Sequence, residues 1–507
     1  MPTCYLGLDI GTSSTKVLLM ELNGTVLASC APEYPFRTPR PLWAEADPED
    51  WWKATIEGIR TVIAKAGVKP SDVAGIGLSG QMHGLVMLDS EGKVLRPCIM
   101  WNDQRTAAQC AELTEKVGAE KVLAITGNPI LPGFTAGKIL WVRQNEPEVY
   151  ARCAKVLLPK DYIRYRLSGV YASEVSDASG TSLLDVPARK WSKVMLEAAG
   201  IPESWMPELS ESPDISSHLS AQAAELTGLA QGLPIAGGGG DQAAQAVGCG
   251  IVEEGLISAT FGTSGVVFAH SRQYRGEPQG KLHAFCAAVP GEWHLMGVML
   301  SAAGSLQWFR DALGQAEVAK AKAEGKHPYA LFDEMAATVP AGSEGLFFLP
   351  YLSGERTPHP DPLARGAFVG LTLRHGNAEI VRSVLEGITY GMLDSVELMR
   401  NLGIVSRTIV ASGGGARSAL WRQMMADAFN TPIAMVNATE GAAYGAALLA
   451  AVGTKAYADV RTAAAKCIAT KVAAEPGKDV AIYAKAYPSY KALYPALKQS
   501  FKDIAAL

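Results

Sequence analysis

At 507 residues the chain is too long for one compact core, so two large domains are the natural expectation. Its composition, 48% hydrophobic and 19% charged, is typical of a globular protein. The net charge of -4, the absence of lysine and arginine clusters and the lack of a membrane-length apolar run argue against nucleic acid or a membrane as partner.

The N-terminus and the cysteines indicate the compartment. The opening "MPTCYLGLDIG" lacks a basic region followed by an apolar core, so no secretory signal is predicted. The eight cysteines are scattered without a CxxC pair, which favours reduced thiols over a disulfide scaffold or a zinc site. We therefore expect a cytoplasmic protein.

The predicted elements alternate between strands and helices. "CYLGLDIG", "TKVLLMEL" and "GTVLASCAP" predict three consecutive strands that form a meander. A helix is predicted over residues 47–67, because Asp47 suits the N-cap and Pro48 suits the first helical position. Further along, the alanine- and glycine-rich residues 441–453 predict a buried helix. The pattern as a whole is typical of the α/β class.

Two pairs of segments suggest that the chain repeats itself. "LDIGTSSTKVLLM" (8–20) is echoed by "ATFGTSGVVFA" (259–269), each a strand, a Gly-Thr-Ser turn and a strand. The glycine run before Asp241 is echoed by "IVASGGGARSALWRQ" (409–423). Gly-Thr-Ser turns are common, so either echo alone is weak. Together they predict a duplicated domain.

The first turn has the character of a phosphate site. "GTSSTK" (11–16) places backbone N–H groups and four hydroxyls in one tight turn, which suits phosphate oxygens, although it lacks the Walker A spacing. Lys16 begins the next strand and can reach a phosphate. Asp9 ends an apolar strand, where a hydrated magnesium ion could partner it. The alternatives are a plain polar turn and an aspartate that caps it.

Two segments offer groups that can contact a ligand, and the second suits a polyhydroxylated one. "GQMHG" (80–84) holds Met82 and His83 between glycines, and a neutral histidine can exchange hydrogen bonds with a hydroxyl. "MWNDQR" (100–105) combines an aromatic ring with an amide, an acid and an arginine. A structural histidine and an ordinary loop with internal salt bridges are the alternatives.

Two glycine-rich segments precede predicted helices. In "GGGD" (238–241), Asp241 either caps the helix that follows or accepts a proton from a substrate hydroxyl, as phosphoryl transfer requires, and the two roles are compatible. In "SGGGARS" (412–418), the glycines can lie flat against a nucleotide base and ribose. Trp308 either supplies an apolar wall there or belongs to the core.

These segments, in this order, resemble the FGGY family of carbohydrate kinases, within the sugar kinase, actin and Hsp70 superfamily. The resemblance spans residues 6 to about 452 and includes "LPKDYIRYRLSG" and "LPYLSGERTPH", whereas 455–507 carries no usable motif. It implies two duplicated actin-like (ribonuclease H-like) domains with a central cleft. Residues 1–248 would bind the sugar, and residues 249–507 would bind the nucleotide.

The resemblance also implies roles for individual residues. Asp241 is expected to be the general base, and Asp9 to lie near Mg²⁺, through water, and the phosphates. The residues expected to contact substrate are Met82, His83, Trp101, Asn102, Asp103 and Gln242, the last standing where many relatives have asparagine. Those expected to bind ATP are Gly11, Thr12, Ser13, Lys16, Gly262, Thr263, Ser264, Trp308, Gly414, Gly415 and Ser418.

The expected reaction is transfer of phosphate from ATP to D-xylulose, in pentose catabolism, because "GQMHG" and "LSGERTPH" are most similar to that branch of the family. Kinases of ribulose, rhamnulose, glycerol or gluconate remain alternatives, since they share the phosphate turns and the aspartate. A non-catalytic nucleotide switch of the actin or Hsp70 type and a weak sugar sensor are further alternatives. Dimers are common among similar proteins, so a homodimer is compatible with the resemblance.

Overall fold

The structure, a computed structural model, describes residues 4–437 and 441–506. In the first half of the chain the strands are β1 (Cys4–Ile10), β2 (Thr15–Glu21), β3 (Val26–Cys30), β4 (Glu45–Ala46), β5 (Val73–Gly80), β6 (Val86–Leu88), β7 (Cys98–Ile99), β8 (Lys155–Leu157), β9 (Ala172–Glu174), β10 (Leu184–Asp185), β11 (Lys190–Trp191), β12 (Glu208–Ser210), β13 (Ile215–His218), β14 (Pro234–Ala236) and β15 (Gly239–Gly240). The helices there are α1 (Pro48–Ala66), α2 (Ala107–Val117), α3 (Ala119–Thr126), α4 (Thr135–Asn145), α5 (Pro147–Arg152), α6 (Pro159–Ser168), α7 (Val175–Ala178), α8 (Lys193–Ala199), α9 (Ala221–Thr227) and α10 (Asp241–Gly248).

The second half has the same mixture of elements. Its strands are β16 (Leu256–Phe261), β17 (Gly265–Ser271), β18 (His283–Cys286), β19 (Trp293–Met299), β20 (Phe347–Leu349), β21 (Ala367–Val369), β22 (Thr408–Ser412), β23 (Ile433–Val436) and β24 (Thr470–Ala474). Its helices are α11 (Ala303–Ala312), α12 (Gln315–Ala323), α13 (Pro328–Ala337), α14 (Asn377–Asn401), α15 (Ala419–Phe429), α16 (Gly441–Gly453), α17 (Val460–Cys467) and α18 (Val480–Ile504). Short 3₁₀ turns lie at Pro70–Asp72, Ser179–Thr181, Glu203–Trp205, Ser343–Gly345 and Gly415–Arg417.

The first predicted elements are confirmed. Strands β1, β2 and β3 form an antiparallel meander. Helix α1 begins with the Asp47 side chain accepting from the Glu49 N–H and with Pro48 at the first helical position, and it ends at Gly67 in a left-handed conformation with φ 65°. The capping residues of the sequence therefore determine where this helix starts and stops.

The two large sheets share the same order of equivalent strands. In the described residues the first runs β13–β14–β5–β1–β2–β3, with β15 also paired to β5. The second runs β24–β23–β22–β16–β17–β19–β18. Matched from β13 to β3 and from β24 to β19, every neighbouring pair has the same relative direction in both sheets. The predicted duplication is confirmed, and the two Gly-Thr-Ser turns join equivalent strands.

The second sequence echo pairs loops that are not equivalent. The glycine run before Asp241 follows β14, whose counterpart in the second sheet is β23. The segment 412–418 follows β22, whose counterpart is β5, so it corresponds to the "GQMHG" segment. The predicted equivalence of these two segments is therefore wrong. Both have glycines at the end of a strand, and residue types alone do not identify which strand that is.

Helices α10 and α16 follow equivalent strands and pack on each other. A Cβ at Gly445 would lie 1.8 Å from the Ala244 carbonyl oxygen, and one at Gly7 of β1 would lie 1.8 Å from the Ala443 carbonyl oxygen. This close approach explains the alanine- and glycine-rich sequence of α16, and the predicted buried helix is confirmed. Since α16 packs against the first sheet, this packing crosses the predicted domain boundary at 248/249. The boundary itself stays a prediction.

The C-terminal segment without a recognised motif contains α17, β24 and, last, helix α18. Its buried side chains Tyr483, Tyr487, Tyr490 and Tyr494 join the hydrophobic core of the second sheet. Helix α18 is therefore part of the second domain's core, whereas Val460 and Cys467 of α17 pack in the cluster that contains α16. Among the described residues, no helix combines the length and apolarity needed to cross a membrane.

Candidate active site

Two carboxyl groups lie at one edge of the first sheet. Asp9 of β1 pairs with Ser79 of β5, which in turn pairs with Gly239 of β15, and Asp241 follows two residues later. Because the carboxyl ends of these parallel strands share an edge, residues distant in sequence converge there. Asp9 and Asp241, which were predicted from separate motifs, are thereby brought to one edge.

Burial raises the pKa of both carboxyl groups, and the charge of Asp9 adds to the rise at Asp241. Burial raises the pKa of Asp9 to about 6, although the nearby Ser79 hydroxyl first, and the charge of Lys16 second, oppose the rise. Lys16 is the partner of Asp9 across β1 and β2. Burial first, and the charge of Asp9 second, raise the pKa of Asp241 to about 7. A carboxyl group with a pKa near neutrality is a candidate for proton transfer.

Asp9 has an oxygen available for a ligand. Its Oδ1 is buried and accepts no hydrogen bond from any residue that the structure describes. A buried carboxylate oxygen without a donor is costly, so a cation or a bound water is the expected partner. This oxygen is compatible with the hydrated Mg²⁺ that the sequence predicts.

The glycine run before Asp241 is required by close backbone packing. Gly238 has a φ of 77°, and a Cβ there would lie 1.9 Å from the Leu78 carbonyl oxygen of β5. A Cβ at Gly240 would lie 2.9 Å from the Met82 side chain. Helix α10 then starts at Asp241 with Gly240, not Asp241, in the N-cap position. Asp241 Oδ1 instead accepts the Gln242 N–H at 2.7 Å.

His83 is held in one orientation and one protonation state. Its Nδ1 lies 2.6 Å from the Gly180 carbonyl oxygen, which can only accept, so Nδ1 carries the proton. Burial lowers the pKa of His83 to about 3, so the ring is neutral at pH 7. Its Nε2 is therefore an acceptor. The ring stacks on Phe134 at 4.3 Å, and the buried Lys138 ammonium binds the His83 carbonyl oxygen at 2.7 Å.

The second domain contributes to this histidine's surroundings. Phe285 of β18 lies 6.4 Å from His83 and 6.1 Å from Phe134, measured between ring centroids. His283, on the same strand, has its Nδ1 2.8 Å from the Asn128 Oδ1 of the first domain. None of these residues was singled out from the sequence, because nothing local marks a residue that acts across a domain boundary.

The "WNDQR" segment meets the first Gly-Thr-Ser turn. The Trp101 indole N–H donates to Thr12 Oγ1 at 3.0 Å, while 43% of the side chain stays exposed. Asn102 Oδ1 is buried and has no partner among the residues described. Trp101 therefore lies beside the turn, and the contact of Trp101 and Asn102 with a substrate stays a prediction.

Asp103 is engaged within the protein. Its side chain is fully buried, and its oxygens accept from the Arg105 guanidinium at 2.6–2.9 Å and from the Ala44 N–H at 2.7 Å. The Arg105 guanidinium also lies 3.6 Å from the Trp43 ring centroid. Asp103 thus shapes the segment that carries Trp101, and its direct contact with a sugar stays a prediction.

Hydrogen bonds to backbone carbonyl oxygens hold the two predicted phosphate turns in place. The Gly11 carbonyl oxygen accepts from Gln81 Nε2 at 2.9 Å and from the Tyr34 hydroxyl at 2.8 Å, and Ser13 is exposed. In the second turn, the Gly262 and Thr263 carbonyl oxygens accept the N–H groups at the start of α11 at 2.9–3.1 Å. The side chains of Thr263 and Ser264 are exposed.

The predicted nucleotide residues of the second domain differ in burial. Gly414 is exposed, and a Cβ there would meet nothing within 4 Å, whereas one at Gly415 would lie 2.6 Å from the Trp421 ring. Ser418 caps α15 by accepting the Trp421 N–H at 3.0 Å. Trp308 is half-buried and stacks parallel to Phe348 with centroids 6.3 Å apart. An open glycine surface thus lies beside a packed helix start.

Comparison with known proteins covers nearly the whole chain. Residues 4–248 match the N-terminal domain, and residues 257–454 the C-terminal domain, of the FGGY family of carbohydrate kinases. The xylulose kinase of Escherichia coli (strain K12) is 45% identical over 83% of this chain and 84% of its own length. That of Bacillus subtilis (strain 168) is 38% identical over 97% of both.

A solved structure is also similar to this chain over nearly the full length of both. The crystal structure of xylulose kinase from Rhodospirillum rubrum superimposes with a TM-score of 0.92 at 32% identity, covering 98% of this chain and 100% of that one. The duplicated α/β architecture and the sequence similarity agree. The chain belongs to the FGGY family of carbohydrate kinases.

Proposed function

We propose that the protein transfers the γ-phosphoryl group of ATP to D-xylulose and releases ADP and D-xylulose 5-phosphate, as a step in pentose catabolism. The similar proteins named as xylulose kinases support this substrate. The observation that carries the chemistry is Asp241, a carboxyl group with a pKa near 7 at the carboxyl edge of the first sheet.

Asp241 is the proposed general base. Its carboxylate accepts the proton of the sugar's terminal hydroxyl while that oxygen forms a bond to the γ-phosphorus. The bond from the γ-phosphorus to the bridging oxygen breaks, and ADP leaves. A base with a pKa near the operating pH combines adequate ionisation with strong proton affinity, so the raised pKa suits this role.

Asp9 is proposed to hold a hydrated Mg²⁺ near the phosphates. Its Oδ1 is buried and has no hydrogen-bond partner among the described residues, so it suits a water bound to the metal. Proteins usually bind Mg²⁺ with several of its waters retained. The ion, when bound, neutralises phosphate charge. Lys16, opposite Asp9 on β2, adds positive charge on the same side.

The remaining predicted residues would orient the two substrates. The turns at 11–13 and 262–264 offer amides and hydroxyls to the phosphates, and the open surface at Gly414 offers room for the adenosine. On the sugar side, His83 Nε2 can accept a hydroxyl hydrogen bond and Trp101 can cover a C–H face. The sugar then lies on the first domain and ATP on the second, and closure of the cleft would exclude water.

The test is sugar-stimulated ADP release in a coupled assay. D-xylulose is compared with D-ribulose, L-xylulose, L-rhamnulose, glycerol and gluconate at equal concentration. We expect D-xylulose to give the highest kcat/KM. A higher value with another sugar would contradict the substrate assignment, and no stimulation by any of them would contradict the kinase chemistry.

A further inference from the structure

A group of charged side chains is buried behind the glycine run that precedes Asp241. We call Lys160, Asp161, Arg164, Glu174 and Asp177 the buried charge cluster, and all five are fully buried. The Lys160 ammonium lies 2.7 Å from the Asp161 carboxylate, 3.4 Å from that of Glu174 and 3.1 Å from that of Asp177. The proposed reaction uses none of these groups. Burying charges is costly even when they are paired, so stabilisation of the fold does not by itself explain the cluster.

Glu174 of this cluster is connected to the glycine run through one serine. The Ser176 hydroxyl lies 3.0 Å from Glu174 Oε1, and the Gly240 N–H points to Ser176 Oγ at 3.1 Å. A hydroxyl has one proton, so Ser176 donates to Glu174 and accepts from Gly240. The residue immediately before Asp241 is thereby attached to the cluster.

Glu174 is itself immobilised. Its two oxygens accept the backbone N–H groups of Ser176 and Asp177 at 2.7 and 2.8 Å, and Oε2 also accepts the Ser212 hydroxyl at 3.0 Å. With Lys160 beside it, Glu174 cannot turn without breaking several buried contacts. The acceptor offered to Gly240 is therefore fixed in space.

Arg164 holds the other end of the run. Its guanidinium donates to the Ala236 carbonyl oxygen at 2.8 Å and to the Gly237 carbonyl oxygen. Glycine has the largest backbone freedom of any residue, so a run of four needs outside contacts to keep one conformation. The cluster supplies contacts at both ends of residues 236–240.

We propose that Ser176, held by Glu174, is a positioning residue that fixes the Gly240 amide and so the direction of the Asp241 carboxylate. This inference rests on the proposed role of Asp241 as the base. Small displacements of a catalytic group reduce the rate of the chemical step more than substrate binding. Ser176 therefore affects kcat without touching either substrate.

The test compares Ser176→Ala with Ser212→Ala. Both variants remove one buried hydroxyl that donates to Glu174, and only the first removes the acceptor for Gly240. We expect similar decreases in Tm for the two. Ser176→Ala should lower kcat for D-xylulose about tenfold with both KM values within about twofold, whereas Ser212→Ala keeps kcat within about twofold.

The outcomes separate the inference from the function it rests on. Equal kcat for the two variants, whether lowered or unchanged, overturns the positioning role. If Asp241→Asn retains full activity, the base assignment fails and the inference fails with it. If Asp241→Asn is inactive while Ser176→Ala keeps wild-type kcat, the positioning role alone is wrong. Should Ser176→Ala not fold, Ser176→Cys, which replaces a strong acceptor by a weak one, is judged by the same criteria.

Discussion

Two glycine-rich loops look alike in the sequence and differ in the molecule. The loop at 237–240 is buried, and a side chain at Gly238 would collide with the backbone of β5. In the loop at 413–415 only the middle glycine is open: a Cβ at Gly414 would meet nothing within 4 Å, whereas one at Gly413 would lie 2.6 Å from the Phe261 carbonyl oxygen and one at Gly415 2.6 Å from the Trp421 ring. The first follows β14 and the second follows β22, which are not equivalent strands.

The difference shows that glycine serves two purposes here. In the first loop it permits close packing that places one carboxyl group at the sheet edge. In the second, Gly413 and Gly415 also permit close packing, and Gly414 alone leaves an open surface without a side chain, which suits a nucleotide. Changes in the first loop should therefore affect catalysis and stability, and changes in the second should affect the binding of ATP.

The largest expected effect comes from the carboxylate that the first loop carries. Asp241→Asn keeps the shape of the side chain and removes the base, so kcat should fall about 10³-fold. Binding of ADP, measured by calorimetry, should stay within about twofold because the nucleotide is proposed to lie on the second domain. A variant with near-wild-type kcat would reduce Asp241 to a structural residue.

The second effect is on folding. Gly238→Ala forces a Cβ into the Leu78 carbonyl oxygen at a φ of 77°, so we expect a loss of about 3 kcal/mol or more in the free energy of unfolding. Gly414→Ala, at a helical φ of −61°, is the matched control and should change it by less than about 0.5 kcal/mol. Urea denaturation measures both. Equal losses would show that the two loops do not differ in packing.

The third effect is a pH dependence located in the first loop. The base must be ionised, so kcat/KM should rise with pH through about 7, the pKa of Asp241 in the free protein. Stability should change in the opposite direction. The folded state binds this proton more tightly than the unfolded state, whose pKa is near 3.8, so stability falls as pH rises from about 4 to about 7.

Asp241→Asn tests that second trend. It should be more stable than the wild type at pH 8, by about 2 kcal/mol after allowance for partial solvent screening, and the difference should shrink towards pH 4. Thermal unfolding across this range is the measurement. A stability difference that is constant with pH would contradict the raised pKa.

The smallest effect concerns the two tryptophans on either side. Trp101→Leu should raise the KM for D-xylulose about fivefold and leave the KM for ATP unchanged, because it removes a half-exposed ring beside the sugar. Trp308→Leu should raise the KM for ATP by a similar factor. Steady-state kinetics with each substrate varied decides this, and a reversed pattern would exchange the proposed roles of the two domains.

Sequence patterns were sufficient for part of the local structure. The caps of α1, the opening meander and the buried α16 all follow from residue types at short spacing. Helix α18 was missed, although tyrosines at positions 483, 487, 490 and 494 repeat at helical spacing and were a usable signal. The equivalence of the strands was only half recovered, since matching letters identified one turn and misassigned the other.

The candidate site was predictable in its chemistry and less so in its details. Asp9, Asp241, His83 and Trp101 were all identified from motifs that end strands. Lys138, Phe134 and Phe285 were not, because their contact with His83 depends on chain segments far from it in sequence. For "MWNDQR" the sequence left a loop with internal salt bridges open as an alternative, and Arg105 does engage Asp103 in this way.

By itself, the sequence determined which groups are available: a carboxylate after a glycine run, hydroxyl-rich turns and the duplicated strand pattern that brings them to sheet edges. The tertiary structure alone decided how each group is tuned. The pKa of Asp241, the tautomer of His83 and the attachment of Gly240 through Ser176 depend on burial and on partners from other segments. Electrostatic and steric effects act through space over a few ångströms, and only folding determines which residues lie within that distance.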